Sequence, residues 1–328
     1  MKTNVLFAAL VGVALGQSTA LGQMMMKAIV VHQFGGPEVL KYEDAPRPQP
    51  KRGEILVRVI AAGVNPVDTY VTAGKYGATL PVIPGRDVAG IVEELGPGAT
   101  KFKKGDAVYA YSRNGGFAEY VAVAEKDAAP KPASLTFVEA AGVPVGGGTA
   151  WRALVDTAHV APGQTVLVQG GSGGVGAFAV QIAKARGAKV LATASTANKD
   201  LLKELGADVP IDYTKQKIED VAKNVDVVLE TVRGEIDRDY PLVKKGGYLV
   251  SIVGPADPAK VQQFGIQAPP LADSGSPLPE LTKLFDAKKL KVVVSQTLPL
   301  SEAAKALEQV GTHHTRGKIV LQVAEQKS

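Results

Sequence analysis

The stretch QTVLVQGGSGGVGAFAVQIAKARGAKVLATA, residues 164–194, decides the fold. Thr165 to Val168 is a short apolar run, as in a buried parallel strand. The glycines from Gly171 to Gly176 fit G-x-G-x-x-G, and apolar residues recur three and four apart from Val175 to Ala183, as in a helix packed on a sheet. A second apolar run, Val190 to Ala194, predicts the next strand. This order predicts a dinucleotide-binding unit, in which the helix N-terminus holds the pyrophosphate; the alternative is a glycine-rich turn in an ordinary α/β domain.

The second strand bears on which dinucleotide binds. An NAD site usually carries an acid about 20 residues after the glycines, which binds the ribose 2′-hydroxyl. Residues 177–199 contain no Asp or Glu, and this run ends in Ser195-Thr196-Ala197-Asn198-Lys199. Hydroxyl groups and an ammonium suit a 2′-phosphate, which an acid would repel. The sequence therefore predicts NADP(H), with a solvated lysine at a helix start as the alternative for Lys199.

The composition is that of an ordinary globular protein, with 328 residues, 45% hydrophobic and 21% charged. The formal net charge of +5 is spread thinly along the chain, so we expect no nucleic-acid partner. The chain contains no cysteine, which excludes disulfides, thiolate nucleophiles and cysteine-ligated zinc. His32, His159, His313 and His314 show no ligand-like grouping with carboxylates, so we expect no metal site.

Residues 1–23 differ from the rest of the chain. Lys2 precedes an apolar run from Val5 to Leu15, and small residues follow before Gln23. A basic start, a short apolar core and a small-residue exit are typical of a secretory signal peptide, and the core is too short for a stable membrane span. We therefore expect export, to a compartment such as the periplasm. The alternative is a cytoplasmic protein whose translation starts at Met24 to Met26.

The remaining chain divides into three parts. Residues 24–145 contain short apolar strands separated by Gly-Pro and Gly-Asp turns, which predicts a compact β-rich domain of barrel type. Strands and helices alternate over residues 146–282, which predicts a doubly wound sheet built around the dinucleotide-binding unit. Within this part, residues 255–280 are rich in Pro, Gly and Ala and predict a loop or cover. Residues 283–328 predict strand, helix and strand.

Individual elements follow from the same patterns. Further strands are expected at residues 27–30, 55–60, 88–95, 107–110, 119–123, 209–213, 225–229, 248–253, 291–296 and 318–323. Further helices are expected from residue 137 and at residues 149–158, 198–205 and 301–310.

Several motifs occur in a set order along the chain. They are Ala61-Ala62-Gly63-Val64-Asn65-Pro66-Val67-Asp68, Pro84-Gly85-Arg86-Asp87-Val88-Ala89-Gly90, Gly115-Gly116-Phe117-Ala118-Glu119-Tyr120, Gly148-Thr149-Ala150-Trp151, the turn from Gly171 and Gly317-Lys318-Ile319-Val320. As a set they resemble the medium-chain dehydrogenase/reductase superfamily, in its zinc-free quinone oxidoreductase branch of the zeta-crystallin type. The resemblance covers Lys27 to about Val323. It implies an α/β fold: a GroES-like β-rich domain plus a doubly wound Rossmann domain with a parallel sheet, and a C-terminal segment that returns to the first domain.

The resemblance also implies the site residues. Asn65 is expected beside the nicotinamide ribose and the acceptor, and Tyr70 is a candidate phenol donor, with a packing role at the rim as its alternative. Asp68 is expected only to cap a turn. Gly85-Arg86-Asp87 stands where zinc alcohol dehydrogenases carry Gly-His-Glu, so no catalytic zinc is expected. The implied cofactor-binding residues are Asn65, Thr149, Gly173, Gly174, Val175, Gly176, Ser195, Lys199, Tyr213, Thr231, Val253, Gly254 and Lys318.

The implied function is a zinc-independent, NADPH-dependent oxidoreductase that transfers hydride to a quinone or an α,β-unsaturated carbonyl. NADPH carries the hydride, and hydrogen-bond donors stabilise the charge that develops on the acceptor oxygen. An alcohol dehydrogenase, an enoyl-thioester reductase and a non-catalytic NADPH-binding protein remain open alternatives, with an RNA-associated role a weaker one. The resemblance further implies a homodimer.

Overall fold

A computed structural model describes residues 24–325 of the chain. The predicted signal peptide, residues 1–23, lies outside the described residues. Fourteen strands are present in the described part. In chain order they are β1 Met25–Val31, β2 Leu40–Pro46, β3 Glu54–Val64, β4 Asp87–Leu95, β5 Ala107–Tyr111, β6 Tyr120–Ala124, β7 Ala128–Pro130, β8 Thr165–Val168, β9 Lys189–Ala194, β10 Val209–Asp212, β11 Val225–Glu230, β12 Val243–Ser251, β13 Val294–Pro299 and β14 Lys318–Gln322.

Ten α-helices connect and cover these strands within residues 24–325. They are α1 Pro66–Thr72, α2 Phe137–Ala141, α3 Pro144–Trp151, α4 Gly176–Ala185, α5 Lys199–Glu204, α6 Ile218–Val221, α7 Ile236–Asp239, α8 Pro258–Phe264, α9 Leu278–Asp286 and α10 Ala303–Gly311. A π-helical segment, Arg152–Thr157, continues α3. No helix in this range is both long and apolar enough to cross a bilayer.

The parallel sheet has the strand order β10-β9-β8-β11-β12. Val166 of β8 lies opposite Val190 on one side and Val227 on the other, and all three are fully buried. Their apolar runs reflect burial of both faces of the sheet beneath helices. The chain leaves β8 in one direction to β9 and β10, then crosses back to β11. The boundary between β8 and β11 is therefore a topological switch point, where such sheets bind ligands at their carboxyl edge.

The second sheet has the order β13-β14-β3-β4-β5-β7, and β6 also pairs with β3. The eleven-residue β3 serves two partners on one edge. Its first half, Glu54 to Arg58, pairs with β6, and its second half, Ala61 to Val64, pairs with β14 from the end of the chain. Strands β1 and β2 form a separate antiparallel pair. The C-terminal strand thus lies in the sheet formed by the N-terminal part of the chain.

The two sheets share one hydrophobic core. Ile60 and Tyr109 from the second sheet lie in the same buried cluster as Phe178 of α4 and Leu281 of α9. The Tyr109 hydroxyl donates to the Leu278 carbonyl oxygen at 2.7 Å and lies 3.0 Å from Thr282 Oγ1. This pairing satisfies the one polar group of a ring that is otherwise surrounded by apolar atoms.

Several boundaries differ from the sequence-based predictions. Residues 255–280 are not simply a loop, because they contain all of α8 and the start of α9. The carboxylate of Asp257 accepts from Ala259 N, Pro258 takes the first helical position, and Gly265 ends α8 with a φ of 62°. These are ordinary helix start and stop signals. Because two of these signals are a Pro and a Gly, they added to the composition that predicted a loop and so hid the helix.

The strand expected at residues 291–296 lies at Val294–Pro299 instead. The Lys291 N–H donates to Gln181 Oε1 at 2.8 Å, so this residue is held by α4 before the sheet begins. Strand β2 and helix α1 were not predicted. The β2 strand pairs with β1 alone and exposes most of its residues, so it has no strong apolar alternation.

We expect Tyr109→Phe to destabilise the fold by about 1–2 kcal/mol, because the buried hydroxyl and its hydrogen bonds are lost while the ring is kept. Urea unfolding followed by circular dichroism would measure this change. Tyr42→Phe is the matched control, because Tyr42 is 48% exposed and should change stability by less than about 0.5 kcal/mol. Equal effects of the two substitutions would contradict the assigned role of the Tyr109 hydroxyl.

Candidate active site

The glycine turn between β8 and α4 is shaped by close backbone approaches. A Cβ on Gly176 would collide with the Gly170 carbonyl oxygen, and one on Gly171 would lie 2.9 Å from the Ala192 and Leu202 side chains. No side chain within residues 24–325 caps α4. The Ala177 and Phe178 N–H groups donate to the Gly173 and Val175 carbonyl oxygens, but those of Gly174, Val175 and Gly176 donate to no acceptor among residues 24–325. These three N–H groups suit a bound pyrophosphate. Gly173, Gly174 and Val175 form the segment that leads into this helix start.

The C-terminal strand crosses the glycine turn. The Gly317 N–H donates to the Ser172 carbonyl oxygen at 2.8 Å. The Lys318 side chain then passes over Gly174, where an added Cβ would lie 3.2 Å from Lys318 Cδ. Lys318 therefore runs from the predicted pyrophosphate site toward the N-terminal domain.

Asn65, Asp87 and Lys318 meet there as a buried polar cluster. The Lys318 ammonium donates to Asn65 Oδ1 and lies 3.2 Å from Asp87 Oδ2, to which Asn65 Nδ2 donates at 2.9 Å. All three residues are at most 3% exposed. The Val145 N–H at the start of α3 donates to the other Asp87 oxygen at 2.7 Å. One carboxylate thus joins β4, β14, α3 and the N-cap of α1.

Burial and pairing act in opposite directions on the cluster. Burial is the larger influence and raises the pKa of Asp87 above its ordinary value, while the Lys318 charge and the hydrogen bonds from Asn65, Val145 and Lys318 offset part of that rise. Burying a charge is costly unless it is paired and hydrogen-bonded. Both conditions are met here, so the Lys318 ammonium is held at a fixed point beside Asn65.

Asp68 is the second buried acid at this point. Its Oδ2 accepts the Asn65 N–H at 2.8 Å in a capping box, so it caps helix α1 rather than a turn. Its Oδ1 is buried without a hydrogen-bond partner among the described residues. Burial is the largest cause that raises the pKa of Asp68, to about 7. This carboxyl therefore gains and loses its proton near neutral pH.

Tyr70 lies on α1, within the turn of helix that follows Asn65. Its hydroxyl accepts a hydrogen bond at 2.5 Å from Arg233 Nη2, which belongs to the loop after β11. Its ring lies 6.1 Å from that of Tyr76, which is 69% exposed. Tyr70 therefore joins helix α1 of the N-terminal part to the loop after β11 of the parallel-sheet part.

Three of the predicted cofactor-binding residues, Thr231, Val253 and Gly254, lie at the carboxyl edge of the parallel sheet. Thr231 follows β11 directly, and its hydroxyl donates to the Gln169 carbonyl oxygen at 2.7 Å. Val253 and Gly254 follow β12, and a Cβ on Gly254 would meet nothing within 4 Å. Thr149 is half-buried on α3, one turn after Val145. The fold thus places these residues on the same side as the glycine turn.

Ser195 and Tyr213 directly follow β9 and β10, and Lys199 begins α5 four residues after Ser195. The Tyr213 N–H donates to the Ala194 carbonyl oxygen at 3.2 Å, and the Tyr213 side chain is 52% exposed. Ser195 and Lys199 are both half-buried. A hydroxyl, an ammonium and an exposed ring at one sheet edge suit an adenosine ribose with its 2′-phosphate.

Sequence analysis missed an acid near this position. The neighbouring strand β10 brings Asp212 beside β9, where its carboxylate accepts from the Thr196 and Thr214 hydroxyls, each at 2.6 Å. The Thr196 hydrogen bond is the largest cause that lowers the pKa of Asp212. Residues 177–199 thus contain no acid, but the fold brings Asp212 next to them from the neighbouring strand. Each of its carboxylate oxygens accepts a hydrogen bond from a threonine hydroxyl.

A buried network supports the glycine turn from below. The Gly170 N–H donates to Thr193 Oγ1, and this hydroxyl donates to Gln169 Oε1, both at 2.9 Å. Gln169 Nε2 in turn donates to Asp239 Oδ1 at 2.8 Å. Glu230 lies nearby, and burial is the largest cause that raises its pKa, to about 9. No motif marked Gln169 or Asp239, because they are 70 residues apart in the chain.

Among residues 24–325, no group of three or more His, Cys, Asp or Glu side chains is placed to hold a metal ion. Arg86 lies in the segment that was compared with the Gly-His-Glu of zinc alcohol dehydrogenases. Its side chain donates to the Tyr111 hydroxyl at 2.9 Å. Zinc-independent chemistry stays a prediction.

We expect Asp68→Asn to change how stability depends on pH. The pKa is 3.8 for an ordinary Asp carboxyl and about 7 for Asp68 in the folded protein. As pH rises between these two values, Asp68 loses its proton in the unfolded chain but keeps it in the folded one. Rising pH therefore lowers the stability of the wild type in this window. The variant lacks this contribution, and its advantage over wild type should grow by up to about 1.4 kcal/mol per pH unit in that window. Urea unfolding at about pH 5 and about pH 7 would measure the difference; parallel curves would contradict it.

Two family models match the chain. One, described as an alcohol dehydrogenase GroES-like domain, matches residues 51–133. The other, described as a zinc-binding dehydrogenase, matches residues 205–321. Together they cover the N-terminal sheet and much of the part that follows the glycine turn.

Individual relatives extend the match over nearly the whole chain. An NADPH-dependent alkenal/one oxidoreductase from Arabidopsis thaliana chloroplasts is 39% identical over 90% of this chain and 79% of its own length. A quinone oxidoreductase from Mus musculus is 38% identical over 92% of this chain and 99% of its own length.

Solved structures show the same architecture. The quinone oxidoreductase from Coxiella burnetii superposes with a TM-score of 0.84 and 34% identity, over 92% of this chain and all of that one. A mycobacterial protein complexed with NADPH gives a TM-score of 0.83 and 31% identity, over 91% of this chain and all of that one. The predicted fold class is confirmed, and the chain belongs to the quinone oxidoreductase family of medium-chain dehydrogenases/reductases, a family of oxidoreductase enzymes.

Proposed function

We propose that the protein is a zinc-independent, NADPH-dependent oxidoreductase that transfers hydride to a quinone or an α,β-unsaturated carbonyl. The observation that carries this proposal is the path of Lys318, from the glycine turn at Gly174 to the buried cluster with Asn65 and Asp87. This path supports a nicotinamide site beside hydrogen-bond donors. The names of the relatives, quinone oxidoreductase and alkenal/one oxidoreductase, agree with the reaction.

NADPH fits the residues that are present. The uncapped start of α4 suits the pyrophosphate, while Ser195, Lys199 and Tyr213 suit the phosphorylated ribose. Bound NADPH supplies the hydride. The residues proposed to hold it are those predicted from the sequence, Asn65, Thr149, Gly173, Gly174, Val175, Gly176, Ser195, Lys199, Tyr213, Thr231, Val253, Gly254 and Lys318.

Asn65 and Tyr70 are the proposed catalytic residues. As the acceptor gains hydride, negative charge develops on its oxygen, and donors fixed in advance stabilise that charge at little reorganisation cost. Asn65 is fixed by hydrogen bonds with Asp68, Asp87 and Lys318, and Tyr70 by one with Arg233. The Tyr70 hydroxyl has one donor directed at it, so its own proton is free to point at the acceptor.

An assay of NADPH oxidation tests the proposed function. The full chain would be mixed with NADPH and a panel of quinones, enals and enones, with alcohols and enoyl thioesters as competing substrate classes. Quinone- or enone-dependent loss of NADPH absorbance is the expected result. Turnover only of alcohols or thioesters would favour those alternatives, and NADPH binding without any turnover would leave a non-catalytic protein.

Cofactor choice gives a separate prediction. We expect Lys199→Ala to raise the KM for NADPH about tenfold and to leave the KM for NADH nearly unchanged, because only NADPH has a 2′-phosphate to pair with the ammonium. Lys203→Ala on the same helix is the control, since Lys203 pairs with Asp200 and is 60% exposed. Equal shifts for the two cofactors, or for the two variants, would refute the assignment of Lys199.

Assembly and location complete the proposal. We propose a homodimer formed beside β12, which is the edge strand of the parallel sheet. Gln267 is hydrogen-bonded to Gly247 and Leu249 of this strand. Light scattering on the purified protein would test this, and a monomer mass would refute it.

We also propose the domain limits 24–145 and 146–282 with a returning segment 283–328, and export directed by residues 1–23. Mass analysis of the mature N-terminus distinguishes export from a start at Met24 to Met26.

A further inference from the structure

Two arginines near Tyr70 have no acidic partner in the described part of the chain. Neither Arg86 nor Arg233 forms an ion pair with any carboxylate of residues 24–325; Arg86 donates to the Tyr111 hydroxyl and Arg233 to the Tyr70 hydroxyl. Arg86 is near enough to Asp68 to lower the pKa of that carboxyl slightly, but it does not contact it. Two positive charges are therefore left without a counterion.

Both guanidinium groups contact tyrosines instead of acids. Arg233 donates to the Tyr70 hydroxyl at 2.5 Å, and its guanidinium carbon lies 5.5 Å from the centroid of that ring. The guanidinium carbon of Arg86 lies 5.7 Å from the Tyr76 ring, and Arg86 Nε is buried without a partner among residues 24–325. Lys75 adds a third cation, 5.6 Å from the Tyr70 ring.

The position of these groups points to the acceptor and not to the cofactor phosphates. Arg86 adjoins Asp87 of the buried cluster, and Arg233 lies two residues beyond Thr231 at the end of β11. The proposed 2′-phosphate site is at β9 and β10, on the far side of β8. Adjacent strands are about 4.8 Å apart, so about 10 Å separates the β9 and β11 edges. The pyrophosphate site at α4 lies between them.

We propose that Arg86 and Arg233, with Tyr70 and Tyr76 between them, form an acceptor subsite that prefers quinones and enones carrying a carboxylate over neutral ones. The subsite rests on the proposed function. The exposed ring of Tyr76 suits the face of a flat conjugated acceptor. The guanidinium donors not used by the tyrosines suit the carboxylate, which a guanidinium binds through two parallel hydrogen bonds.

The test compares two acceptors that differ only in charge. They are a naphthoquinone with a carboxylate on its benzenoid ring and the corresponding primary carboxamide. For each protein, the ratio of kcat/KM for the carboxylate to kcat/KM for the amide is measured with saturating NADPH. This ratio cancels changes in NADPH binding or in the hydride step that affect both acceptors equally.

We expect the ratio to favour the carboxylate in the wild type and to fall on the order of fivefold in Arg86→Gln and in Arg233→Gln. Arg233→Lys, which keeps the charge but not the fork of donors, should retain part of the preference. Arg52→Gln is the matched control, because Arg52 is exposed at the opposite end of β3 from Asn65. Added salt should lower the wild-type ratio, because exposed charge pairs are screened.

Three outcomes overturn the subsite. They are a wild-type ratio near one, a ratio unchanged in both arginine variants, and an equal fall in Arg52→Gln. In each case turnover of the amide still supports the proposed function, so the two failures are distinguishable. If the wild type oxidises NADPH with neither acceptor nor any other quinone or enone, the proposed function fails and the subsite fails with it. Circular dichroism of each variant checks that it is folded.

Discussion

One buried interaction constrains the rest of the molecule: the contact of the Lys318 ammonium with the Asp87 carboxylate and the Asn65 amide. The Lys318 and Asp87 side chains are 4% and 0% exposed. Removing one partner of such a pair leaves an uncompensated charge in the interior, at a cost of roughly 3–5 kcal/mol. The final strand of the chain therefore has to lie beside β3, where Asn65 follows, and no alternative register of β14 would satisfy both charges.

Placing that strand fixes more than the charge pair. The Gly317 N–H bonds the Ser172 carbonyl oxygen, so the glycine turn is tied to the same point. The second oxygen of Asp87 accepts from Val145, which orients α3 against α4. The helix start proposed to bind the pyrophosphate and the donors proposed for the acceptor are thus located by one set of contacts. A small shift of β14 would change the geometry of both, which is how a distant substitution can reduce a reaction rate.

Acidic side chains around the site are kept from repelling an anionic cofactor. Asp212 is charged, but hydroxyl groups of two threonines occupy its oxygens. Burial raises the pKa values of Asp68 and Glu230, to about 7 and about 9, which favours their protonated forms. Positive charge, in contrast, is left unmatched at Arg86 and Arg233. The charges around the proposed site therefore favour negative charge, both on the proposed phosphates and on the proposed acceptor oxygen.

The sequence by itself determined the dinucleotide-binding unit, because strand, glycine turn and helix are local and have their own periodicity and steric signature in residues 164–194. It also indicated Asn65 and Lys318 through motifs at the two ends of the chain. Only the tertiary structure decided that these two side chains meet at Asp87, that Asp212 adjoins the strand that contains no acid, and that Arg233 reaches Tyr70. Each of these pairs is separated by at least 16 residues and joined by packing, which leaves no periodic pattern in the sequence.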